Sequence, residues 1–165
     1  ASLYELAQKR GFDVGSSNYT AMKFKVDGPA DPAGKGVEIN FSSASYKVNW
    51  TFDPAANIYL RNMAGTAHKD RVTDSQITAK NIVIQTVSRT HQPTGSYGSS
   101  NYVFKNIGEG NAYVLRDGQV VKATWKKSDL NSRTKFFDET GVEIQFNPGN
   151  TWYEIIPPEV SPAFI

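Results

Sequence analysis

The strongest candidate for chemistry in this sequence is a histidine two residues before a carboxylate, His68 and Asp70. Side chains two positions apart in an extended segment project to the same side, so the imidazole and the carboxylate are expected to converge. Asp70 could then orient His68 for general-base catalysis, or share a metal ion with it. The alternative is structural: His68 caps a loop, and Asp70 accepts backbone N–H bonds in a turn, as aspartate commonly does.

No complete catalytic set accompanies this pair. The chain has no cysteine, which excludes disulfides, thiolate metal ligands and a cysteine nucleophile. No Gly-x-Ser-x-Gly elbow is present, because Gly95-Ser96-Tyr97-Gly98 has the wrong spacing. The other histidine, His91, lies in a segment predicted to be a loop. We therefore expect no metal and no cofactor, and a hydrolase would lack a nucleophile of its own.

A second candidate surface is basic and lies in the last third of the chain. Lysines and arginines there surround Trp125, an arrangement that can grip phosphates or stack sugars and bases. The alternative is that Trp125 faces the core, because Val121 and Ala123 share its parity on an alternating strand. The residues predicted for binding are Arg61, His68, Asp70, Arg116, Lys122, Lys126 and Lys127.

The overall charge argues against a nucleic-acid partner. The 18 basic and 16 acidic side chains nearly cancel to a net charge of +2, whereas a nucleic-acid binder usually has a larger, clustered excess of lysine and arginine. No apolar run approaches the roughly 20 residues that cross a bilayer. The start of the chain has the pattern of a short helix, not of a signal peptide.

Most of the elements that must position these residues are predicted to be strands. Ser2 and Glu5 have capping-box spacing, which predicts one helix over residues 1–11 that packs its leucines on the body. Trp50 and Trp152 are expected to be buried. Period-two alternation predicts strands with one buried and one wetted face, at residues 22–26, 37–41, 46–52, 58–63, 82–84, 112–115, 119–125, 136–137, 142–146 and 152–156.

Turn signals join these strands into hairpins. Asp117-Gly118 is a strong two-residue turn signal, and Asn147-Pro148-Gly149 turns the chain into the last strand. Residues 89–101, rich in glycine, serine, threonine and proline, are expected to form a long mobile loop, and residues 157–165 an extended or disordered tail. The chain is therefore predicted to be a single mainly β domain. Its architecture is expected to be an antiparallel hairpin-rich sheet, a sandwich or a partly open barrel, with one short N-terminal helix.

An ordered set of short motifs in the second half indicates a family. The set comprises Tyr59, Arg61, residues 65–70, 76–84, 110–114, 116–118 and 124–125, Thr134, Phe136, Gly141 and residues 147–152. In these residues the sequence resembles the C-terminal domain of the YerB-like bacterial lipoprotein family, a domain of unknown function. The resemblance implies an extracytoplasmic protein, tethered to the membrane only through a lipid anchor outside this chain. It also implies that the chain is a C-terminal fragment of a larger lipoprotein.

Three functions remain open, because the family has no established activity to transfer. The first is a non-catalytic binding domain whose ligand is a cell-wall polymer or an envelope protein, and the lack of a complete catalytic set favours it. The second is an envelope enzyme of hydrolase type that uses His68 and Asp70. The third is a scaffold for an N-terminal domain outside this chain, which predicts an exposed apolar patch.

Overall fold

Most strands predicted from alternation assemble into two sheets, and the chain also forms a separate two-stranded ribbon. The structure is a computed structural model and describes residues 2–12, 20–94 and 99–165, without the side chains of residues 93, 94, 99 and 100. One α-helix, α1 (Leu3–Lys9), precedes the strands, and a short 3₁₀ turn lies at Ala44–Tyr46. The predicted mainly β fold with one short N-terminal helix is confirmed.

Sheet 1 is antiparallel and is built from the first half of the chain together with its C-terminus. Its strand order is β13-β1-β2-β3-β4, with β5 also pairing with β3. The strands are β1 (Val37–Asn40), β2 (Lys47–Asp53), β3 (Ile58–Met63), β4 (Thr66–Ala67), β5 (Thr78–Ala79) and β13 (Ala163–Phe164). The C-terminal tail therefore runs along the body and ends as an edge strand on β1.

Sheet 2 has the order β11-β10-β9-β6-β12 and contains one parallel pair. Its strands are β6 (Asn81–Thr86), β9 (Gly108–Arg116), β10 (Gln119–Lys127), β11 (Lys135–Asp138) and β12 (Thr151–Ile156). The expected all-antiparallel pairing is wrong for β6 and β12, which run side by side in the same direction. Asn81, at the start of β6, exchanges two hydrogen bonds with the backbone of Asn147, which fixes the segment that leads into β12.

The two sheets pack face to face around a core drawn from both. Sheet 1 contributes Val37, Ile39, Val48, Trp50 and Tyr59, and sheet 2 contributes Ile82, Ile84, Leu115 and Ile156. Trp50 is fully buried, as predicted, whereas Trp152 is only half-buried at the edge of this core. The two indole rings lie 5.5 Å apart between their centroids. Burial of this apolar face, at roughly 25 cal/mol per Å², is the main force holding the sheets together.

The second face of sheet 2 is covered by irregular chain instead of by a third sheet. Val83, Val114 and Trp125 point to this side and pack against Phe146 and half-buried Met22. Trp125 is buried and its indole N–H donates to the carbonyl of Thr86 at 2.8 Å, so its expected inward orientation is confirmed. Ile82 and Ile84 on one face of β6 and Val83 on the other are all buried, in keeping with the apolar run of these three residues.

The β9–β10 hairpin turns where the sequence predicts. Asp117 and Gly118 both have positive φ, 53° and 76°, as a two-residue type I′ turn requires. The strands flanking this turn pair in register from Arg116 opposite Gln119 to Gly108 opposite Lys127.

Two predictions near the N-terminus are wrong. Helix α1 has the capping box of Ser2 and Glu5, but it buries none of its residues, and Leu3 is 88% exposed. Its capping bonds are local, so they form without burial of its leucines. Residues 22–26 form no strand: only Phe24 makes an isolated bridge, to Phe146. No neighbouring strand on that face offers them a continuous ladder.

The seven-residue α1 falls far short of a bilayer-spanning length, and no described helix could cross a membrane.

Two later segments also differ from expectation. Residues 89–101, predicted as a loop, instead form most of a ribbon of β7 (Arg89–Thr94) and β8 (Ser99–Phe104), with residues 95–98 outside the described part. Proline is tolerated at position 93 because alternate residues of a strand in a two-stranded ribbon direct their backbone away from the partner strand, where no N–H donor is needed. Residues 142–146 form bridges at Glu143 and Phe146 in place of the predicted strand.

Candidate functional site

A buried arginine links the two sheets and collects several of the side chains that could do chemistry. Arg61 lies on β3 directly opposite Trp50 of β2 and is only 6% exposed. Its guanidinium carbon lies 4.7 Å from the ring centroid of Trp152 and 5.6 Å from that of Trp50. A cation between two indole faces is attracted by both ring quadrupoles, and more strongly when it is desolvated.

Glu154 on β12 supplies the counter-charge to Arg61. Its Oε1 lies 3.5 Å from Nη2 of Arg61 and accepts the indole N–H of Trp50 at 2.9 Å. Burial raises the pKa of Glu154 above its ordinary value, and the Trp50 donor and the Arg61 charge oppose this effect only in part. The Nε atom of Arg61 is buried and has no hydrogen-bond partner among the described residues. The pair is therefore an internal charge network whose members depend on each other.

His68 lies at the half-buried rim of this network, and Asp70 lies outside it. The imidazole Nδ1 of His68 contacts Nη1 of Arg61, and because arginine can only donate, Nδ1 is the acceptor. The backbone of His68 is also fixed, by bonds to Arg61 and Ile77. The structure thus brings together Arg61 and His68, two residues predicted for binding.

Asp70 is occupied by its own turn. One of its carboxylate oxygens accepts the backbone N–H groups of Val72 and Thr73 and the hydroxyl of Thr73. The bonds from Thr73, followed by that from Val72, lower the pKa of Asp70. No hydrogen bond joins His68 to Asp70 in the described part of the chain, so the geometry follows the structural alternative for Asp70.

The predicted basic residues of the last third are mostly engaged with neighbours. Lys122 pairs with Glu139, which raises the pKa of Lys122, and Lys126 pairs with Glu109. The ammonium of Lys127 instead donates to the carbonyl oxygens of Leu130 and Ser132. These exposed ion pairs contribute little stability, but they neutralise much of the expected basic surface.

Arg116, the remaining predicted residue, lies next to a second polar network centred on Asp117. The carboxylate of Asp117 accepts the side-chain N–H groups of Asn57 and Asn147 at 2.9 and 2.7 Å and pairs with Lys25 at 2.8 Å. Burial raises the pKa of Asp117, but these three donors together bring it below its ordinary value. The network joins the β9–β10 turn to three separate segments.

Asp117→Asn is expected to cost about 2 kcal/mol of unfolding free energy at pH 7, the contribution of hydrogen bonds to a charged group. Because the folded-state pKa of Asp117 is depressed, its contribution is complete above the unfolded value of 3.8. The contribution is lost as pH falls through the folded pKa. Urea unfolding of both proteins between pH 2 and 7 should therefore show curves that converge only at the acid end. A constant difference at every pH would contradict this role.

A groove of about 490 Å³ opens on the second face of sheet 2, beside the end of β12. We call it the Gln85 groove; Val87, Phe104 and Ile155 form its apolar walls, and Lys127 is its charged lining residue. Gln85 is 5% exposed, and no hydrogen bond joins its carboxamide to any described residue. Solvent still reaches the carboxamide atoms of Gln85 through the groove, so this amide can donate to and accept from a ligand that binds there.

Comparison with known proteins assigns the chain to a family. Residues 37–153 match the family described as "Protein of unknown function (DUF3048) C-terminal domain", well over half of the 165 residues. The chain belongs to this family. The match begins with β1 and ends inside β12, so it includes Trp50, Arg61, His68 and Trp152.

YerB of Bacillus subtilis, which matches this DUF3048 C-terminal domain both in sequence and in its solved structure, supports the family resemblance inferred from the motifs. A Bacillus subtilis (strain 168) protein named "Putative lipoprotein YerB" is 26% identical over 121 residues, which cover 73% of this chain and 34% of YerB. The crystal structure of YerB from Bacillus subtilis shares the fold, with a TM-score of 0.71, 21% identity and coverage of 96% of this chain and 52% of that one. The chain thus spans about a third of the curated relative and about half of the solved one.

Sequence reasoning missed Gln85 and Glu154. Gln85 breaks the apolar run from Ile82 to Val87, and Glu154 has the inward parity of β12, between Trp152 and Ile156. A polar residue at a buried position is the signal that could have identified both. The described residues contain no group of three or more histidine, cysteine or acidic side chains placed to hold a metal ion.

Proposed function

We propose that this chain is a non-catalytic binding domain of an extracytoplasmic bacterial lipoprotein, and that its ligand occupies the Gln85 groove. The observation that carries the proposal is the carboxamide of Gln85, which makes no hydrogen bond to a described residue and faces an apolar groove of about 490 Å³. Small numbers of polar groups in an apolar concavity are the usual composition of a binding site. The location is supported by the name of the YerB relative, a lipoprotein.

The geometry favours binding over the hydrolase alternative. His68 has its Nδ1 engaged by Arg61, and Asp70 has one carboxylate oxygen engaged by its turn. Because Nδ1 accepts from Arg61, the neutral imidazole has its proton on Nε2, and neither ring nitrogen has a lone pair free to act as a general base. The ligand classes that remain for the groove are a cell-wall polymer and an envelope protein.

An amide NMR titration of the isotope-labelled domain with muramidase-solubilised cell-wall fragments tests the polymer class. Saturable shifts at the side-chain amide of Gln85 and at the backbone of Ile155 would support a wall ligand in the groove. Saturable shifts centred on His68, together with turnover that His68→Ala abolishes, would replace the proposal with the hydrolase. If neither wall fragments nor short peptides shift the amide resonances of the groove residues, the binding function is rejected.

Gln85→Met is expected to separate binding from stability. Methionine has nearly the volume of glutamine, so the free energy of unfolding should change by less than about 1.5 kcal/mol. Affinity for a groove ligand should fall about tenfold, because the ligand loses one buried amide partner. Gln119→Met, at an exposed position on β10, is the matched control and should change neither quantity. Equal affinity of Gln85→Met and the unaltered protein would exclude the carboxamide from recognition.

A further inference from the structure

Strand β12 forms an edge of sheet 2, and its outer N–H and C=O groups bond to no backbone group among the described residues. Lys80 and Asn81 donate to the carbonyl of Asn150, and Val87 donates to that of Ile156, so the even-numbered residues of this segment bond to β6. In a parallel ladder bonded residues alternate, so Thr151, Tyr153 and Ile155 direct their N–H and C=O groups away from the sheet. No described strand pairs with that side of β12.

Within sheets 1 and 2, the other described edges are short or occupied, whereas β12 is neither. In sheet 1 the edge strands β4 and β13 have two residues each. In sheet 2 the outer side of β11 is occupied, since Ile144 donates to Phe136 and Asp138 donates to Val142. Strand β12 has six residues, no proline, and its one charged side chain, Glu154, points into the core. Natural proteins usually blunt an edge of this kind unless it is used.

The side chains along this edge continue into the Gln85 groove. Tyr153 and Ile155 are 41% and 40% exposed and share a face with Val83 and Gln85. Ile155 is also a wall of the groove, so a strand laid along β12 would place an alternate side chain within reach of Gln85.

The charges near the edge select the occupant. Lys127 is the charged lining residue of the groove, and carbonyl oxygens, not a carboxylate, hold its ammonium. Lys23 and Arg133 share a single carboxylate, that of Glu143. The positive charge of Arg133 also lies near Tyr153, where it partly offsets the rise in the pKa of Tyr153 that burial causes. A second copy of this chain would bring the same positive charges to the edge, whereas an acidic residue would complement Lys127.

We propose that an extended peptide segment of a partner protein adds as a strand to the free edge of β12, with one apolar side chain in the Gln85 groove and an acidic residue facing Lys127. This inference rests on the proposed function and names its ligand class. Main-chain hydrogen bonds to Tyr153 and Ile155 supply affinity, and the groove with Lys127 supplies selectivity.

The test is selection of a phage-displayed library of random short peptides on the immobilised domain. Enriched peptides should alternate apolar and polar residues and contain aspartate or glutamate. A resynthesised peptide, titrated into the labelled domain, should shift the amides of Tyr153 and Ile155 and slow their hydrogen exchange about tenfold. N-methylation of alternate peptide amides should abolish binding in one register and spare it in the other, because only one set faces β12.

Edge-blocking variants make the test specific to β12. Ile155→Pro removes only an outward N–H, so the bonds to β6 remain, and peptide affinity should fall about tenfold or more. Ile155→Lys, which places a charge on the edge, should do the same and covers the case in which proline unfolds the strand. Val72→Lys adds the same charge at an exposed aliphatic position and should leave binding unchanged.

The outcomes separate this inference from the function on which it rests. Peptides that shift Gln85 but ignore Ile155→Lys and both N-methylation registers would retain the groove and overturn strand addition. Failure to enrich any alternating peptide would also overturn it, as would sedimentation showing a dimer of the unaltered domain that Ile155→Lys dissociates. The absence of saturable shifts with both peptides and wall fragments would remove the inference and the proposed function together.

Discussion

Arg61→Met should lose about 3–5 kcal/mol of unfolding free energy at pH 8, because it leaves Glu154 buried without its counter-charge. This is a large fraction of the stability of a domain of ordinary size. The loss should shrink at pH 5, since burial raises the pKa of Glu154 and a carboxyl freed from Arg61 takes up a proton more readily. Urea unfolding at the two pH values measures both effects.

The double variant Arg61→Met with Glu154→Gln distinguishes an unpaired charge from lost packing. Glutamine still accepts the indole N–H of Trp50 but has no charge to desolvate, so most of the loss should be recovered. Arg71→Met, at an exposed arginine in the turn after Asp70, is the matched control and should stay within about 0.5 kcal/mol. A double variant no more stable than Arg61→Met would show that the indole stacking of Arg61, and not its charge pairing, holds the sheets together.

Gly36→Ala is expected to cost about 3 kcal/mol or more through a backbone clash. Gly36 is buried just before β1, and a Cβ atom there would lie 2.2 Å from the carbonyl oxygen of Trp50 on β2. The clash is with backbone, so no change of side-chain rotamer relieves it. Strand β1 must therefore move away from β2 or from Ile165, which exchanges two backbone hydrogen bonds with Gly36. Chemical denaturation, together with the amide shifts of Ile165, measures this effect.

Gly28→Ala is the matched control for Gly36→Ala. A Cβ atom at Gly28 meets only the flexible ammonium of Lys25, at 3.4 Å, and no positive φ adds strain. Its unfolding free energy should change by less than about 1 kcal/mol, and in the stabilising direction, because alanine restricts the unfolded chain. A loss at Gly36 as small as this would mean that β1 shifts freely against β2.

The two faces of β12 explain how one short strand serves both the fold and the proposed interface. Trp152, Glu154 and Ile156 point toward sheet 1, where they join the Arg61 network and the core. Tyr153 and Ile155 point to the other side, where they remain partly exposed. A substitution at an even-numbered position should therefore affect stability first, and one at an odd-numbered position should affect binding first.

The candidate site was only partly visible in the sequence. The motifs pointed to Arg61 and His68, which the structure does bring together. The local pattern was ambiguous for Arg61, because it shares its strand parity with the apolar Tyr59 and Met63, whereas an arginine on a strand is usually exposed. Its burial depends on Glu154, a residue more than 90 positions away that occupies the opposite sheet.

Local physics was enough for the sequence alone to determine most β strands of the hairpins, the Asp117-Gly118 turn and the capping box of α1. Each depends on residues within a few positions of one another, through side-chain period, positive φ or a capping bond. Only the tertiary structure decided the parallel pairing of β6 with β12, the partners of Arg61 and the surroundings of Gln85. These features depend on contacts between residues far apart in the sequence, such as the hydrogen bond from Asn81 to Thr151, 70 positions away. No short-range pattern encodes which distant strands pair.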